Sequence, residues 1–146
     1  MKAKDLMTPQ PCCCSPDDAI SEVASMMRDN DCGSVPVVEA GRVIGIVTDR
    51  DLAVRGLARG LAGDSKVRDV MTASPECCTE EDDIHSIERV MSDRQVRRVP
   101  IVNADGGCVG IISQADLARA TSSSSSRTRI SPADVAETVA EISAPN

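Results

Sequence analysis

Apolar positions follow two rhythms along the chain, one helical and one extended, and the pair of rhythms is played through twice. Ile20, Val23, Ala24 and Met27 fall three and four residues apart, which predicts a helix ending near Asn30 to Gly33. Ser15-Pro16-Asp17-Asp18 is the expected start, with Ser as cap, Pro at the first helical position and acid in the first turn. Val35 to Val38 and Arg42 to Val47 are short β-rich runs around Glu39-Ala40-Gly41, a hairpin signal. Asp49 to Arg59 predicts a second helix, closed by Gly60. The order then recurs. Thr79 is the expected cap, with Asp82 three residues on, for a helix striped by Ile84, Ile87, Val90 and Met91. Val99 to Val102 and Cys108 to Ile112 predict a second hairpin, turning through Asn103-Ala104-Asp105-Gly106-Gly107, and Ser113 to Ala120 begins another helix. Counting a short buried strand at each cysteine run, each copy reads strand–helix–strand–strand–helix. The two helix stripes belong to a core or a dimer surface.

The wording repeats as well as the rhythm. Lys4-Asp5-Leu6-Met7-Thr8 returns as Arg68-Asp69-Val70-Met71-Thr72, and Ser34-Val35-Pro36-Val37-Val38 returns as Arg98-Val99-Pro100-Ile101-Val102. Gly45-Ile46-Val47-Thr48-Asp49-Arg50-Asp51 returns as Gly110-Ile111-Ile112-Ser113-Gln114-Ala115-Asp116. The offset is 64 residues up to the prolines and 65 beyond them, with one extra residue near Asp105-Gly106-Gly107. Two copies of one supersecondary unit follow, each needing a neighbour to cover its apolar face. The expected segments are a first repeat over residues 1–60, a connector over 61–66 and a second repeat over 67–120. A serine-rich linker over 121–131 and a helical tail over 132–146 follow. In the tail, Ser131-Pro132-Ala133-Asp134 is a helix start, and Val135, Val139 and Ile142 form a modest stripe. So short a helix needs a surface to dock on.

Composition narrows what such a chain can do. At 146 residues it holds one compact core or two small halves. It has no Phe, Tyr or Trp, so no ring can stack on a base, and its net charge of −7 repels phosphate backbones; nucleic acid is an unfavoured partner. No stretch approaches the roughly 20 apolar residues of a membrane helix. With no signal-like apolar run at the N-terminus, a cytoplasmic location is expected. The seven cysteines include two runs in equivalent places, Cys12-Cys13-Cys14 and Cys77-Cys78. They read as small core hydrophobes, with metal or redox chemistry as the alternative, since no CxxC spacing occurs. His85, the sole histidine, has no partner motif and is expected on a helix surface.

The residues with the most chemistry stand at the end of each hairpin. Gly45 and Gly110 allow a close backbone approach, and Thr48 with Asp51, and Ser113 with Asp116, sit where a strand gives way to a helix. The spacing supports two readings. It is a capping-box pattern that ties off a helix N-terminus. It also suits an anionic ligand at that terminus, with the carboxylate accepting from ribose hydroxyls.

The ordered, duplicated set of x-Val-Pro-Val/Ile-Val strands and Gly-x-x-Thr/Ser-x-x-Asp endings resembles a tandem pair of CBS (cystathionine β-synthase) domains, a Bateman module, over residues 1 to about 120. Thr48-Asp49-Arg50-Asp51 and Gln95-Val96-Arg97-Arg98-Val99-Pro100 are similar to small stand-alone bacterial CBS-pair proteins of the hypoxic-response type. The resemblance implies an α/β fold of two repeats, with small sheets flanked by helices and packed with pseudo-twofold symmetry. It also implies two clefts between the repeats for AMP, ADP, ATP or S-adenosylmethionine, and a homodimer. Carried over, one cleft takes Ser113 and Asp116, the latter on the ribose, with Thr8, the Cys32-Gly33-Ser34-Val35 backbone, and Arg97 and Arg98 near phosphate. The other takes Thr48, Asp51 and Thr72 with the Val96–Val99 segment. Its positions equivalent to Arg97 and Arg98 are Gly33 and Ser34, so the Asp116 cleft is expected to be the better binder, unless Arg50 or Arg55 compensates. Arg97 and Arg98 could instead pair with Asp93 or Glu88.

The expected function is thus a non-catalytic regulatory module for an adenosyl ligand, with no cofactor required and an unidentified protein partner. Its competitors are a structural or stress-response interaction protein without a ligand, and a thiol-based redox or metal sensor using Cys12 to Cys14 with Cys77 and Cys78.

Overall fold

The structure is a computed structural model describing residues 1–122 and 131–145. In chain order the elements are α1 (Ala3–Leu6), β1 (Thr8–Pro9), α2 (Ile20–Asn30), β2 (Ser34–Glu39), β3 (Arg42–Thr48) and the single turn α3 (Asp49–Asp51). There follow β4 (Thr72–Ala73), β5 (Cys78–Thr79), α4 (Ile84–Arg94), β6 (Arg98–Val102), β7 (Cys108–Ser113), α5 (Gln114–Ser122) and α6 (Pro132–Ile142). Both hairpins and both striped helices stand where the apolar pattern places them. The helix expected over Asp49 to Arg59 is real but uneven. After α3 it widens to a π-helix over Leu52–Gly56, then tightens to 3-10 over Leu57–Arg59, and Gly60 closes it at φ +73°.

The chain forms two compact units, and each borrows the opening of the other repeat. The first contains Met1–Pro9, Glu76–Ala104 and the chain from Val109 onward; the second contains Gln10–Pro75 and Asp105–Cys108. In the first unit a four-stranded sheet runs β1-β7-β6-β5, with Thr8 of β1 opposite Ile111 and Cys78 of β5 parallel to Ile101. Ile84, Ile87 and Met91 of α4 are fully buried with Val99, Ile101, Ile112 and Leu117. In the second unit the sheet runs β2-β3-β4, and its core is Val23, Val35, Val37, Val47, Val67 and Val70. Its β2–β3 register pairs Ser34 with Thr48 and Val38 with Val43, with an irregularity between Val37 and Val38.

The borrowed segments are held by matching bonds. In the first unit the Ala3 N–H donates to the Asp82 carbonyl (2.9 Å), and the Ile84 N–H donates to Met1 (3.0 Å). In the second the Val67 N–H donates to Asp18 (2.9 Å), and the Ile20 N–H donates to Ser65 (2.9 Å). Ion pairs repeat the pattern: Lys2 and Lys4 meet Glu81, as Lys66 and Arg68 meet Asp17. The two lysines hold the exposed Glu81 carboxyl down at about 2.

These bonds correct the expected helix starts. Ser15 and Thr79 do not begin helices. Their N–H groups donate to the Asp18 and Asp82 carboxylates (2.8 and 2.7 Å), closing isolated turns. Each helix begins five residues later, at Ile20 and Ile84, after Ala19 and Asp83 have extended to bridge Lys66 and Lys2. The tail helix packs in the first unit. Ser131 caps α6 through the Asp134 N–H (3.1 Å), and Val135, Thr138 and Ile142 are buried. Gln95 donates to the carbonyls of Glu141 and Ala144 (3.4 and 3.3 Å), fastening its far end. Thr121 and Ser122, expected in the linker, are helical; positions 123–130, the rest of the serine stretch, lie outside the described residues.

Candidate functional site

Each unit gathers a hydroxyl, an acid and a threonine at the point where its central strand turns into a helix. In the first unit the Ser113 N–H and hydroxyl both donate to Asp116 Oδ2 (2.7 Å each), and the Asp116 N–H donates back to Ser113 Oγ (3.2 Å). In the second the Thr48 N–H donates to Asp51 Oδ2 (2.9 Å), and the Asp51 N–H donates back to Thr48 Oγ1 (3.1 Å). The capping use of the motif is therefore realised at both places. It occupies one oxygen of each carboxylate and fixes its orientation. The other oxygen faces an arginine one turn along, Arg119 for Asp116 Oδ1 and Arg55 for Asp51 Oδ1 (3.7 Å). Both acid side chains are largely buried, at 11% and 14% exposure.

Pairing in the sheets decides which other residues join each group. Thr8 lies on β1, exposed, opposite Ile111 on the strand that ends at Ser113. The Gln114 N–H donates to the Arg97 carbonyl (2.8 Å), which places Arg97 and Arg98 beside the head of α5. Arg97 is exposed and Arg98 half-buried, and among the described residues neither guanidinium pairs with a carboxylate, so Asp93 and Glu88 are not their partners. In the second unit Thr72 lies opposite Ile46, Ser34 lies opposite Thr48, and the Asp49 N–H donates to the Gly33 carbonyl (3.1 Å). Val35 is fully buried there, and its side chain serves the core. Gly33, Ser34 and Val35 thus stand in the unit of Asp51, and Arg97 and Arg98 in that of Asp116.

The close approach allowed by Gly45 and Gly110 has a partner inside the protein. A Cβ on Gly110 would lie 2.3 Å from Met7 Sδ, and one on Gly45 would lie 2.6 Å from Met71 Sδ and 3.1 Å from the Thr72 carbonyl. These glycines admit the borrowed segments, methionine first. His85 is exposed as expected, yet it has a partner: its Nδ1 lies 2.9 Å from Oε2 of the buried Glu88. Two residues join the site without standing out in the repeated motifs: Arg119, and Gln114, whose buried Oε1 has no hydrogen-bond partner among the described residues. For Arg119 a signal existed, an acid and a base three residues apart on one helix.

The cysteine runs fall in different units, and no disulfide joins any of the seven cysteines in the structure. Cys14 and Cys78 are buried, and burial pushes their thiols up to about 12 and about 11. Cys13 behaves oppositely: a hydrogen bond with the Cys108 side chain lowers it. Among the described residues no group of three or more His, Cys, Asp or Glu is placed to hold a metal ion, and no helix is long and apolar enough to cross a membrane.

The family model for the CBS domain matches this chain twice, over residues 3–56 and 67–123. The chain belongs to the CBS domain family. CBS domain-containing protein YhcV of Bacillus subtilis is 38% identical over 115 residues, covering 79% of this chain and 81% of that protein. Hypoxic response protein 1 of Mycobacterium tuberculosis is 31% identical over 119 residues, covering 80% and 82%. A crystal structure of Hypoxic Response Protein I with two coordinated zinc ions superposes with a TM-score of 0.74 at 30% identity, over 82% of this chain and 98% of that one. The CBS domain pair of protein MJ0100, in complex with 5-methylthioadenosine and S-adenosyl-L-methionine, shares the fold with a TM-score of 0.75 at 24% identity, over 82% and 94%. The two matched stretches of this CBS pair include Thr48 to Asp51 and Ser113 to Asp116.

Proposed function

We propose that this CBS pair is a non-catalytic regulatory module whose ligand is an adenine nucleotide (AMP, ADP or ATP) or S-adenosylmethionine. The observation that carries this reading is the fixed carboxylate at each strand-to-helix junction. With Oδ2 held by Ser113 and Oδ1 paired with Arg119, Asp116 is fixed in one orientation, and a ribose hydroxyl donating to the remaining lone pair of Oδ1 loses little conformational freedom. Thr8 and Ser113 add hydroxyls, and Arg97 and Arg98, which pair with no carboxylate among the described residues, supply positive charge for phosphate. The second unit has Asp51, Thr48 and Thr72, with Gly33 and Ser34 in place of the arginine pair, so its share of the binding is weaker. With no aromatic side chain, adenine is held by aliphatic contacts and backbone groups, which favours modest affinity. The adenosyl ligands of MJ0100 support the ligand class at the level of the shared fold. The two zinc ions belong to the hypoxic response protein structure; among the described residues here no group of three or more His, Cys, Asp or Glu is placed to hold a metal ion.

Calorimetry on the full chain with AMP, ATP and S-adenosylmethionine tests the reading. An asparagine keeps an acceptor for the cap but offers an N–H where the ribose needs a lone pair. Asp116→Asn is expected to weaken binding by roughly 10–100-fold, the worth of a charged hydrogen bond, and Asp51→Asn by much less. An absence of heat with every ligand overturns the proposal, and equal losses in the two variants overturn the ranking of the sites.

A further inference from the structure

The β2–β3 hairpin anchors two cysteines that lie far apart in the sequence. Cys14 forms a parallel bridge to Val37, and the Val38 N–H donates to the Cys14 carbonyl (2.8 Å). On the neighbouring strand the Val43 N–H donates to the Gly106 carbonyl (2.9 Å). Val38 and Val43 are register partners, so these two bonds set the Cys14 segment beside β2 and the turn before Cys108 beside β3 at the same level of the hairpin. The turn is tight. Gly106 has φ +83°, and a Cβ there would lie 3.2 Å from Arg42 Nε, so the turn is packed against the hairpin. Cys13, next to the anchored Cys14, and Cys108, two residues beyond Gly106, meet here with their side chains hydrogen-bonded, and both are half-buried.

We propose that Cys13 and Cys108 are a redox-modification site, closing to a reversible disulfide when the protein meets a hydroperoxide. The contrast among the thiols supports the choice. The Cys108 hydrogen bond favours the Cys13 thiolate, whereas burial disfavours the thiolates of Cys14, Cys77 and Cys78. The thiolate is the reactive form. Cys13 also lies 3.4 Å from the Pro11 carbonyl, a weak acceptor contact that fixes its side chain. In the first step the Cys13 sulfur attacks the peroxide; an S–O bond forms, the O–O bond breaks, and the leaving hydroxide or alkoxide takes a proton. In the second, Cys108 loses its proton and attacks the Cys13 sulfenic sulfur, so that the S–S bond forms and water leaves with the sulfenic oxygen. The two sulfurs together lose two electrons, which reduce the peroxide. A dithiol reverses the change by exchange. The site is independent of the adenosyl-ligand reading and uses none of its residues.

The test treats the reduced full chain with hydrogen peroxide, alkylates the remaining thiols and maps the products by mass spectrometry without reductant. The expected result is the loss of two alkylatable thiols and a linked pair of peptides joining Cys13 to Cys108 within one chain, both reversed by dithiothreitol. Cys108→Ser is expected to lose the link and to leave a sulfenic acid on Cys13 that dimedone traps, and Cys12→Ser to keep the link. Continued alkylation of Cys13 and Cys108, a link to any other cysteine, or a link between chains overturns the proposal. Because the mapping is done first on the wild-type chain, a variant that failed to fold would not shield the proposal.

Discussion

Two glycines show how a single missing atom sets the architecture. Gly45 and Gly110 face the methionines of the borrowed segments, and no β-carbon fits between. Gly110→Ala is expected to destabilise the fold by about 1–3 kcal/mol, the usual cost of overpacking. Adding Met7→Ala should relieve part of that loss; urea melts of the two single variants and the double variant would show it as non-additivity. The cysteines give a second expectation. Burial raises Cys14 to about 12 and Cys78 to about 11 from an ordinary 9.0, so the folded state keeps these protons after the unfolded chain has released them. Stability from this source is whole below pH about 9 and falls as pH climbs from there towards 11. Thermal melts across that interval should show the decline, and Cys14→Val should flatten it. Much of this was legible in residue types: the acids, hydroxyls and glycines stand out by repetition alone. What the glycines touch was not legible, because Met7 and Met71 come from the partner repeat. The meeting of Cys13 with Cys108 was hidden for a similar reason, since only the hairpin brings their segments together.

Local signals located the helices but misplaced where they begin. At Ser15 and Thr79 the cap pattern is satisfied by one turn, and tertiary bonds then hold the next residues extended until Ile20 and Ile84. Sequence distance explains the miss. The bridging residues, Lys66 for Ala19 and Lys2 for Asp83, are too remote for a local pattern to report. The tail helix is the converse case, read correctly from its cap and stripe, with only its docking surface unknown. In the structure α6 packs on α4 and α5 and buries Ile142 to 7% exposure. Ile142→Ala is therefore expected to cost about 2 kcal/mol, the lower end for a buried isoleucine because the helix end can relax. Chemical denaturation would measure it, and a change below experimental error would mean that the tail contributes nothing to the unit it packs in.

The duplicated sequence suggests a boundary at the connector, but the chain does not divide there. Residues 1–9 complete the unit built mainly from the second repeat, and residues 67–73 complete the unit built mainly from the first. A chain split inside the Leu61–Lys66 connector should thus yield two pieces that are each poorly folded alone. Mixed, they should regain structure together, because each carries the opening that the other lacks. Circular dichroism of the separate and combined fragments would check this; two independently folded halves would contradict it. The repetition made the number of units legible from sequence. The exchange of their openings was not, since a repeat unit that keeps its own opening and one that trades it have the same sequence.

That trade has a consequence during synthesis. Met1 to Pro9 leave the ribosome before the carbonyls that receive their N–H groups, Glu80 and Asp82, and the strand that β1 joins, ending at Ser113, which follow only after the bulk of the other repeat. These residues must therefore wait, with Ala3 and Met7 uncovered, until translation has passed β7. Premature termination at any point before β7 would leave a fragment with apolar residues and nowhere to put them, a natural target for chaperones or proteases.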